Sequence, residues 1–277
     1  MTYPTVRHAT DAPGEPGDFS LVLGGPIYQL LRRTRLSDDG LHLLQRRILA
    51  GSLITWLPLL VLSAWQRTAW SGSVAIPFLY DIESHARFLV TLPLLIVAEL
   101  VVNGRMRGVV RGFLDRGLIA DRDRGLFAEA VESAMRLRNS VAAELLLVVI
   151  VYAVGSMGRD YIAVDANTWA VESGQFTAAG WWHAFVSLPI FQFMLIRWYF
   201  RLIIWTRFLW HVSRIELQLV PTHPDRAGGL GFLGNVAYAF APLLLAHGTL
   251  LAGLFANRIF FLGAKLPLLK RLLSAVF

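Results

Sequence analysis

The sequence predicts an all-α fold, namely a polytopic transmembrane helix bundle with about five spans and with helical cytoplasmic extensions. Two observations predict it. The 277 residues are 55% hydrophobic and only 16% charged, with a mean hydropathy of +0.52, whereas a soluble domain usually carries about 25% charged residues. The apolar residues also form runs of roughly 15 to 20, near the length that an α-helix needs to cross a hydrocarbon core about 30 Å thick.

The predicted elements follow from the positions of these runs. Residues 1–47 are rich in proline and glycine, lack the basic-then-apolar order of a signal peptide, and are predicted to be a cytoplasmic N-terminal arm. Residues 48–265 form the transmembrane helical domain, and residues 266–277 form a short amphipathic tail. The spans are predicted at about 48–65, 88–102, 141–157, 181–200 and 236–255.

The orientation is predicted from the basic residues that flank the spans. Residues 1–47, 103–139 and 197–226 carry 19 of the 26 lysines and arginines, and the facing loops 66–87 and 158–180 carry only three. Cytoplasmic loops of membrane proteins are enriched in these residues, so the N-terminus is predicted to be cytoplasmic. The basic character therefore indicates membrane topology, and no nucleic-acid partner is expected.

The C-terminal residues conflict with this orientation. With an odd number of spans, residues 256–277 lie outside and carry Arg258, Lys265, Lys270 and Arg271. Three explanations remain open: the tail lies on the outer surface as an amphipathic helix, the chain ends before a sixth span, or one span is assigned wrongly. We favour the second explanation.

Four ionisable residues at membrane depth are the main candidates for a functional site. Glu99 lies late in an inward span and Glu144 early in an outward one, so both are expected in the inner half of the bilayer. Arg197 and Arg201 reach the same depth and, four residues apart, share a helix face. A charged side chain at this depth needs a partner. The set is predicted to be either a structural salt-bridge network or a proton or ion relay.

A second group of polar residues lies at the outer ends of the spans. Asp81 and His85 precede the second predicted span, and His183 opens the fourth, so they are candidates for an outer mouth or for solvated helix starts. The histidine spacings match no local metal-binding motif, and no metal is predicted. No cofactor or catalytic residue is predicted either, because no nucleophile, zinc or nucleotide-binding motif of established spacing occurs.

The cytoplasmic string from Pro221 to Gly234 contains two prolines and four glycines and is predicted to be a shaped turn. Gly229, Gly231 and Gly234 match the spacing GxGxxG, yet no βαβ unit surrounds them, so a dinucleotide site is not expected. Five residues of the string are candidates for a site. Asp225 can cap a helix, His223 is titratable and Arg226 is basic, and the other two are the adjacent glycines Gly228 and Gly229.

Segment 103–139 has helical periodicity. Phe127, Ala130, Val131 and Ala134 recur at helical spacing, and Glu132 and Arg136 can pair one turn apart. The segment is either a partner-binding hairpin or a helical extension of the neighbouring spans.

Residues 221–234, together with residues 81–99 (DIESHARFLVTLPLLIVAE), resemble a family of bacterial multi-pass inner-membrane proteins with no established activity. The resemblance covers about residues 40–265. Members are longer, with a further span after the position of Leu266. The resemblance implies a multi-pass architecture and a bacterial inner-membrane location, but no mechanism.

Three classes of function follow from the sequence. The first is a small-solute or ion/proton transporter or channel that uses the buried charges. The second is a membrane-anchored scaffold or sensor that acts through segments 103–139 and 221–234, and the least favoured is an intramembrane enzyme. The lipid bilayer is the expected partner, a homo-oligomer is left open, and the substrate is undetermined.

Overall fold

The fold was obtained as a computed structural model, and the structure describes residues 19–25, 28–29, 44–70, 74–162 and 167–262. It is 75% helical, so the predicted all-α fold is confirmed. The predicted tail 266–277 and most of the arm 1–47 lie outside the described residues.

Seven α-helices are defined within the described residues. Two of the long helices contain a π-helical stretch, one at Ala86–Thr91 and the other at His183–Ser187. Short 3₁₀ turns lie at Phe78–Tyr80, Asp121–Asp123 and Leu230–Gly234. A two-residue hairpin pairs β1 (Val171–Glu172) with β2 (Gln175–Phe176). The α-helices are α1 (Leu44–Trp65), α2 (Ile82–Asp115), α3 (Arg124–Arg138), α4 (Val141–Ile162), α5 (Ala178–Val212), α6 (Asn235–Ala239) and α7 (Ala241–Leu262).

Four helical stretches are long and apolar enough to cross a membrane: Leu44–Trp65, Ile82–Asp115, Ala178–Val212 and Leu230–Phe261. Each overlaps one of the predicted spans. The remaining predicted span, 141–157, lies in α4, whose apolar part Val141–Ala153 is shorter. The chain is therefore a membrane protein with four candidate spans and one shorter apolar helix, against an expectation of about five.

Helix α2 lies at the centre of the bundle. It packs against α1, α6 and α7, and it also contacts α5, which in turn packs against α3 and α4. Its buried residues, among them Leu92, Ile96, Glu99 and Val102, recur at helical spacing. This central position brings Glu99 of α2 against two neighbouring helices, α1 and α5.

Residues 19–25, within the predicted polar arm, pack into the bundle. Phe19, Leu21 and Val22 are each at most 2% exposed. The Phe19 ring lies 5.1 Å from the ring of Phe208 of α5. This part of the arm covers the end of α5.

Candidate functional site

Glu99 of α2 is held between two arginines from different helices. Arg201 Nη2 of α5 donates to Glu99 Oε1 at 2.6 Å, and Arg47 Nη2 of α1 donates to Glu99 Oε2. All three residues are buried, with exposures of 1% for Glu99, 3% for Arg201 and 7% for Arg47. Each carboxylate oxygen is therefore engaged by a guanidinium group, and the site is closed to solvent.

Arg47 is the member of this network that the sequence analysis missed. It precedes the first apolar run and was assigned only to the basic flank. Its position on the helix could have identified it. The buried residues of α1 are Arg47, Thr55, Leu59 and Ser63, and all are separated by multiples of four. Residues spaced this way share one side of a helix, here the side that faces α2.

Glu144 and Arg197 form the second pair of the network. Glu144 lies in the first turn of α4, and its Oε1 is 3.5 Å from Arg197 Nη2 of α5. Both side chains are 7% exposed. Because Arg197 lies one turn from Arg201, α5 connects the Glu144 pair with the Glu99 pair.

The N-terminal segment 19–25 closes one side of this network. A Cβ atom at Gly25 would lie 2.8 Å from Glu144 Oε1 and 3.3 Å from the carbonyl oxygen of Arg138, so the close approach requires glycine. Gly25 N donates to Asn139 Oδ1 at 3.0 Å, and Arg138 Nη1 donates to the carbonyl of Ser20. Burial, followed by repulsion from Arg201, lowers the pKa of Arg138 to about 10, which leaves it charged at neutral pH.

Counted over the described residues, the network contains three arginines and two glutamates, an excess of one positive charge. The Arg201 guanidinium also lies over the ring of Trp198, 4.6 Å from its centroid, which contributes a cation–π interaction. Among the described residues, Arg201 Nη1 is buried without a hydrogen-bond partner. Arg201 therefore has little freedom to move without losing a contact.

The outer candidates are joined by aromatic rings. Asp81 accepts hydrogen bonds from Trp169 Nε1 at 2.8 Å and from Asn257 Nδ2 at 2.7 Å, which ties the start of α2 to the outer loop and to α7. His183 packs edge-on against Trp169, with ring centroids 5.4 Å apart. The Asp81 carboxylate is thus a buried junction of three elements.

His85 is fixed in one tautomer by its neighbours. Trp56 Nε1 donates to His85 Nδ1 at 3.1 Å, so Nε2 carries the proton and donates to the carbonyl of Leu79 at 3.2 Å. Across the described residues, no cluster of three or more histidine, aspartate or glutamate side chains is placed to hold a metal ion.

Two outer half-helices contain π-helical turns that the sequence analysis did not predict. Ala86–Thr91 precedes Leu92-Pro93, and His183–Ser187 precedes Leu188-Pro189. In this region, and still within the described residues, Arg87 Nε and His183 Nε2 are buried without a hydrogen-bond partner. π-Helical turns occur frequently at functional sites.

In the cytoplasmic string, Asp225 organises the turn. Its carboxylate accepts backbone N–H bonds from Ala227 at 2.9 Å, Gly229 at 3.1 Å and Gly231 at 2.8 Å. Desolvation raises the pKa of Asp225, but these three bonds and His223 outweigh it and hold the pKa well below its usual range. Arg226, Gly228 and Gly229 have positive φ angles of 54°, 65° and 99°.

Two cavities lie beside segment 103–139. One, of about 350 Å³, lies between α3 and the end of α5. The other, of about 700 Å³, lies between the C-terminal half of α2 and the start of the last candidate span. Both fall within the range typical of ligand pockets, roughly 300–1,000 Å³. The first is lined by Leu126, Glu129, Ala130, Ser133, Arg136, His211, Arg214 and Ile215, and the second by Arg105, Gly108, Val109, Gly112, Asp115, Arg116, Phe232 and Asn235.

No family model, curated protein or solved structure matches the chain. The class that the fold defines is a membrane-embedded helical bundle. The resemblance of residues 81–99 and 221–234 to a bacterial family stays a prediction.

Proposed function

We propose that this protein is a membrane-anchored scaffold or sensor of the bacterial inner membrane, with a cytoplasmic N-terminus, that acts through segments 103–139 and 221–234. The observation that carries the proposal is the closure of Glu99 between Arg47 and Arg201 at 1% exposure. A relay carboxylate must change its charge and reach water during its cycle. A carboxylate held by two buried arginines is suited to holding helices together.

The cytoplasmic segments support the proposal because they are packed against one another. Ile119 forms an antiparallel bridge with Leu217, and Gln218 N donates to the carbonyl of Leu118 at 2.8 Å. Phe232 of the loop packs edge-on against Phe113 of α2, with ring centroids 5.2 Å apart. A rigid cytoplasmic surface can present a binding site to a partner.

The 350 Å³ cavity is the proposed docking groove. Leu126 at its edge is 52% exposed and Ala130 forms its floor, while Glu129, Arg136 and Arg214 supply charges of both signs. An exposed apolar side chain surrounded by charged residues suits a protein partner. The partner can bury the apolar side chain and form polar contacts with the charged residues around it.

A photocrosslinking amino acid at position 126 tests the groove. We expect a discrete adduct with a second protein in cells, weakened by Glu129→Ala. The matched control is position 145, because Leu145 is 61% exposed on the apolar helix α4, where lipid is the expected neighbour. An absent adduct at 126, or the same adduct at both positions, would contradict the proposed groove.

Transport is the second candidate, and the π-helical turns at Ala86–Thr91 and His183–Ser187 favour it. They place the unpaired atoms Arg87 Nε and His183 Nε2 in the outer half of the bundle. Such turns often accompany sites where helices rearrange. An intramembrane enzyme remains the least favoured class.

A further inference from the structure

The 700 Å³ cavity has the features of a lipid headgroup site, and its role is independent of the proposed docking groove. One wall is a single face of α2, on which Arg105, Gly108, Gly112 and Arg116 follow at helical spacing. The other wall consists of Phe232 and Asn235.

The cavity begins at the membrane boundary. The apolar part of α2 ends at Val102, three residues before Arg105, and the last apolar run starts at Val236, one residue after Asn235. Eleven residues of helix separate Arg105 from Arg116, which corresponds to about 16 Å. The cavity thus extends from the headgroup layer into the cytoplasm.

The charge of the cavity favours an anion. Arg105 and Arg116 outnumber Asp115, and neither arginine forms an ion pair with any described residue. The Arg116 guanidinium is positioned over the Phe232 ring, 4.9 Å from its centroid. Basic pockets beside cytoplasmic helix ends attract anionic lipid headgroups.

The space is also open where a headgroup would enter. A Cβ atom at Gly104 or Gly108 would meet no other atom within 4 Å, whereas one at Gly112 would lie 3.0 Å from the Phe232 ring. The cavity is therefore open at Gly108, toward its membrane end, and it is narrowed at Gly112 by the Phe232 ring. Val109 is buried against the core and gives this end an apolar floor.

We propose that this cavity binds the headgroup of an anionic phospholipid of the inner leaflet, with the phosphate beside Arg105 and the headgroup directed toward Arg116. A lipid suits this position better than a soluble anion, because the open end of the cavity meets the bilayer. The acyl chains would then lie along the apolar part of α2 that precedes Val102 in the chain.

Native mass spectrometry of the delipidated full chain in detergent tests the proposal, with titrations of dioleoylphosphatidylglycerol, dioleoylphosphatidylcholine and inorganic phosphate. We expect one saturable site that prefers the phosphatidylglycerol. Arg105→Gln should weaken it about fivefold, the equivalent of the roughly 1 kcal/mol that a basic residue contributes near an anionic surface. Asp115→Asn should strengthen it, because it removes a repulsive charge.

Gly108→Leu tests the volume of the cavity separately from its charge. The leucine side chain fills the cavity without changing its net charge, and it should abolish the binding of phosphatidylglycerol. Arg124→Gln is the matched control: Arg124 pairs with Asp121 on the cytoplasmic surface, away from the cavity, and its loss should leave binding unchanged. An equal affinity for phosphatidylcholine, an equal effect of Arg124→Gln, or binding of inorganic phosphate as tight as that of lipid would overturn the proposal.

Discussion

At the scale of single residues, Glu99 is the key side chain of the buried network. Its two oxygens accept hydrogen bonds from Arg47 of α1 and Arg201 of α5. A buried guanidinium group without a partner destabilises the folded protein, whether it is surrounded by lipid or by protein. Removal of this one negative charge therefore leaves two cations underpaired.

We predict that Glu99→Gln destabilises the protein by about 3–5 kcal/mol, the usual cost of removing one partner from a buried pair. The loss is measured as a fall in yield and in the thermal unfolding midpoint of the detergent-solubilised chain. Glu132→Gln is the matched control, because Glu132 pairs with Arg136 at 2.9 Å on the exposed surface of α3. That substitution should cost at most about 1 kcal/mol.

The same variant distinguishes the two candidate functions. If Glu99→Gln folds as well as the parent chain but abolishes a proton flux that the parent shows in reconstituted vesicles, Glu99 is a relay and the structural interpretation is wrong. A folding defect without any parent flux supports the scaffold.

Part of this site could be predicted from the sequence, because the position of a charged residue within an apolar run indicates its depth in the membrane. Glu99, Glu144, Arg197 and Arg201 stand out as charges inside apolar runs, and the structure places Glu99 beside Arg201 and Glu144 beside Arg197. Arg47 was missed because it flanks an apolar run, where a basic residue already has a topological explanation. The cover formed by residues 19–25 depends on long-range packing, which no local pattern reveals.

At the scale of helices, proline positions explain how the spans depart from regular geometry. Within the candidate spans, Leu-Pro occurs at 57–58, 92–93 and 188–189, and a fully buried hydroxyl residue lies two or three positions before each proline: Thr55, Thr91 or Ser187. Proline frees the carbonyl of the residue four positions earlier. For Pro58 that is Ile54, whose carbonyl accepts from Trp182 Nε1 at 3.2 Å. At Pro58, a neighbouring helix thus supplies the missing hydrogen bond.

The start of α5 depends on a close contact that only glycine permits. A Cβ atom at Gly180 would lie 1.9 Å from the carbonyl oxygen of Ala170, in the backbone of the outer loop. We predict that Gly180→Ala destabilises the protein by about 1–3 kcal/mol, because the backbone must move. The change is measured as a lower thermal unfolding midpoint.

Gly125 provides the matched control for this prediction. It lies in helix α3, and a Cβ atom there would meet no other atom within 4 Å. Gly125→Ala should raise stability by about 0.5–1 kcal/mol, because alanine restricts the unfolded chain and favours the helix. Equal unfolding midpoints for the two variants would show that the contact with Ala170 does not constrain α5.

At the scale of the whole molecule, one aromatic cluster joins the N-terminal segment, three helices and the loop 221–234. Phe113 of α2, Phe127 of α3 and Phe208 of α5 lie with ring centroids 5.8 to 6.4 Å apart. Phe19 of the N-terminal segment and Phe232 of the loop pack onto the same group. These segments thus share one hydrophobic core with the helix bundle.

Hydropathy predicted the all-α fold because each long apolar run must become a helix to satisfy its backbone in lipid. It does not predict which helices meet. The central position of α2 depends on side chains from α1, α5 and α7 fitting against it, and the Phe113 cluster joins residues far apart in the sequence. The π-helical turns also escape a search for regular 3.6-residue periodicity.

The orientation of the bundle yields the last prediction, and the absence of cysteine from the sequence makes it directly measurable. Single cysteines at Asp121 and Thr222 should be protected from an impermeant maleimide in intact spheroplasts and labelled in inverted vesicles. Cysteines at Ala75 and Glu172 should show the opposite pattern. The reason is that the segments on the first side carry 19 basic residues, whereas the loops 66–87 and 158–180 on the second side carry three, and such a bias retains the more basic loops in the cytoplasm. Labelling of Asp121→Cys in intact spheroplasts would reverse the orientation and move both cytoplasmic cavities to the outside.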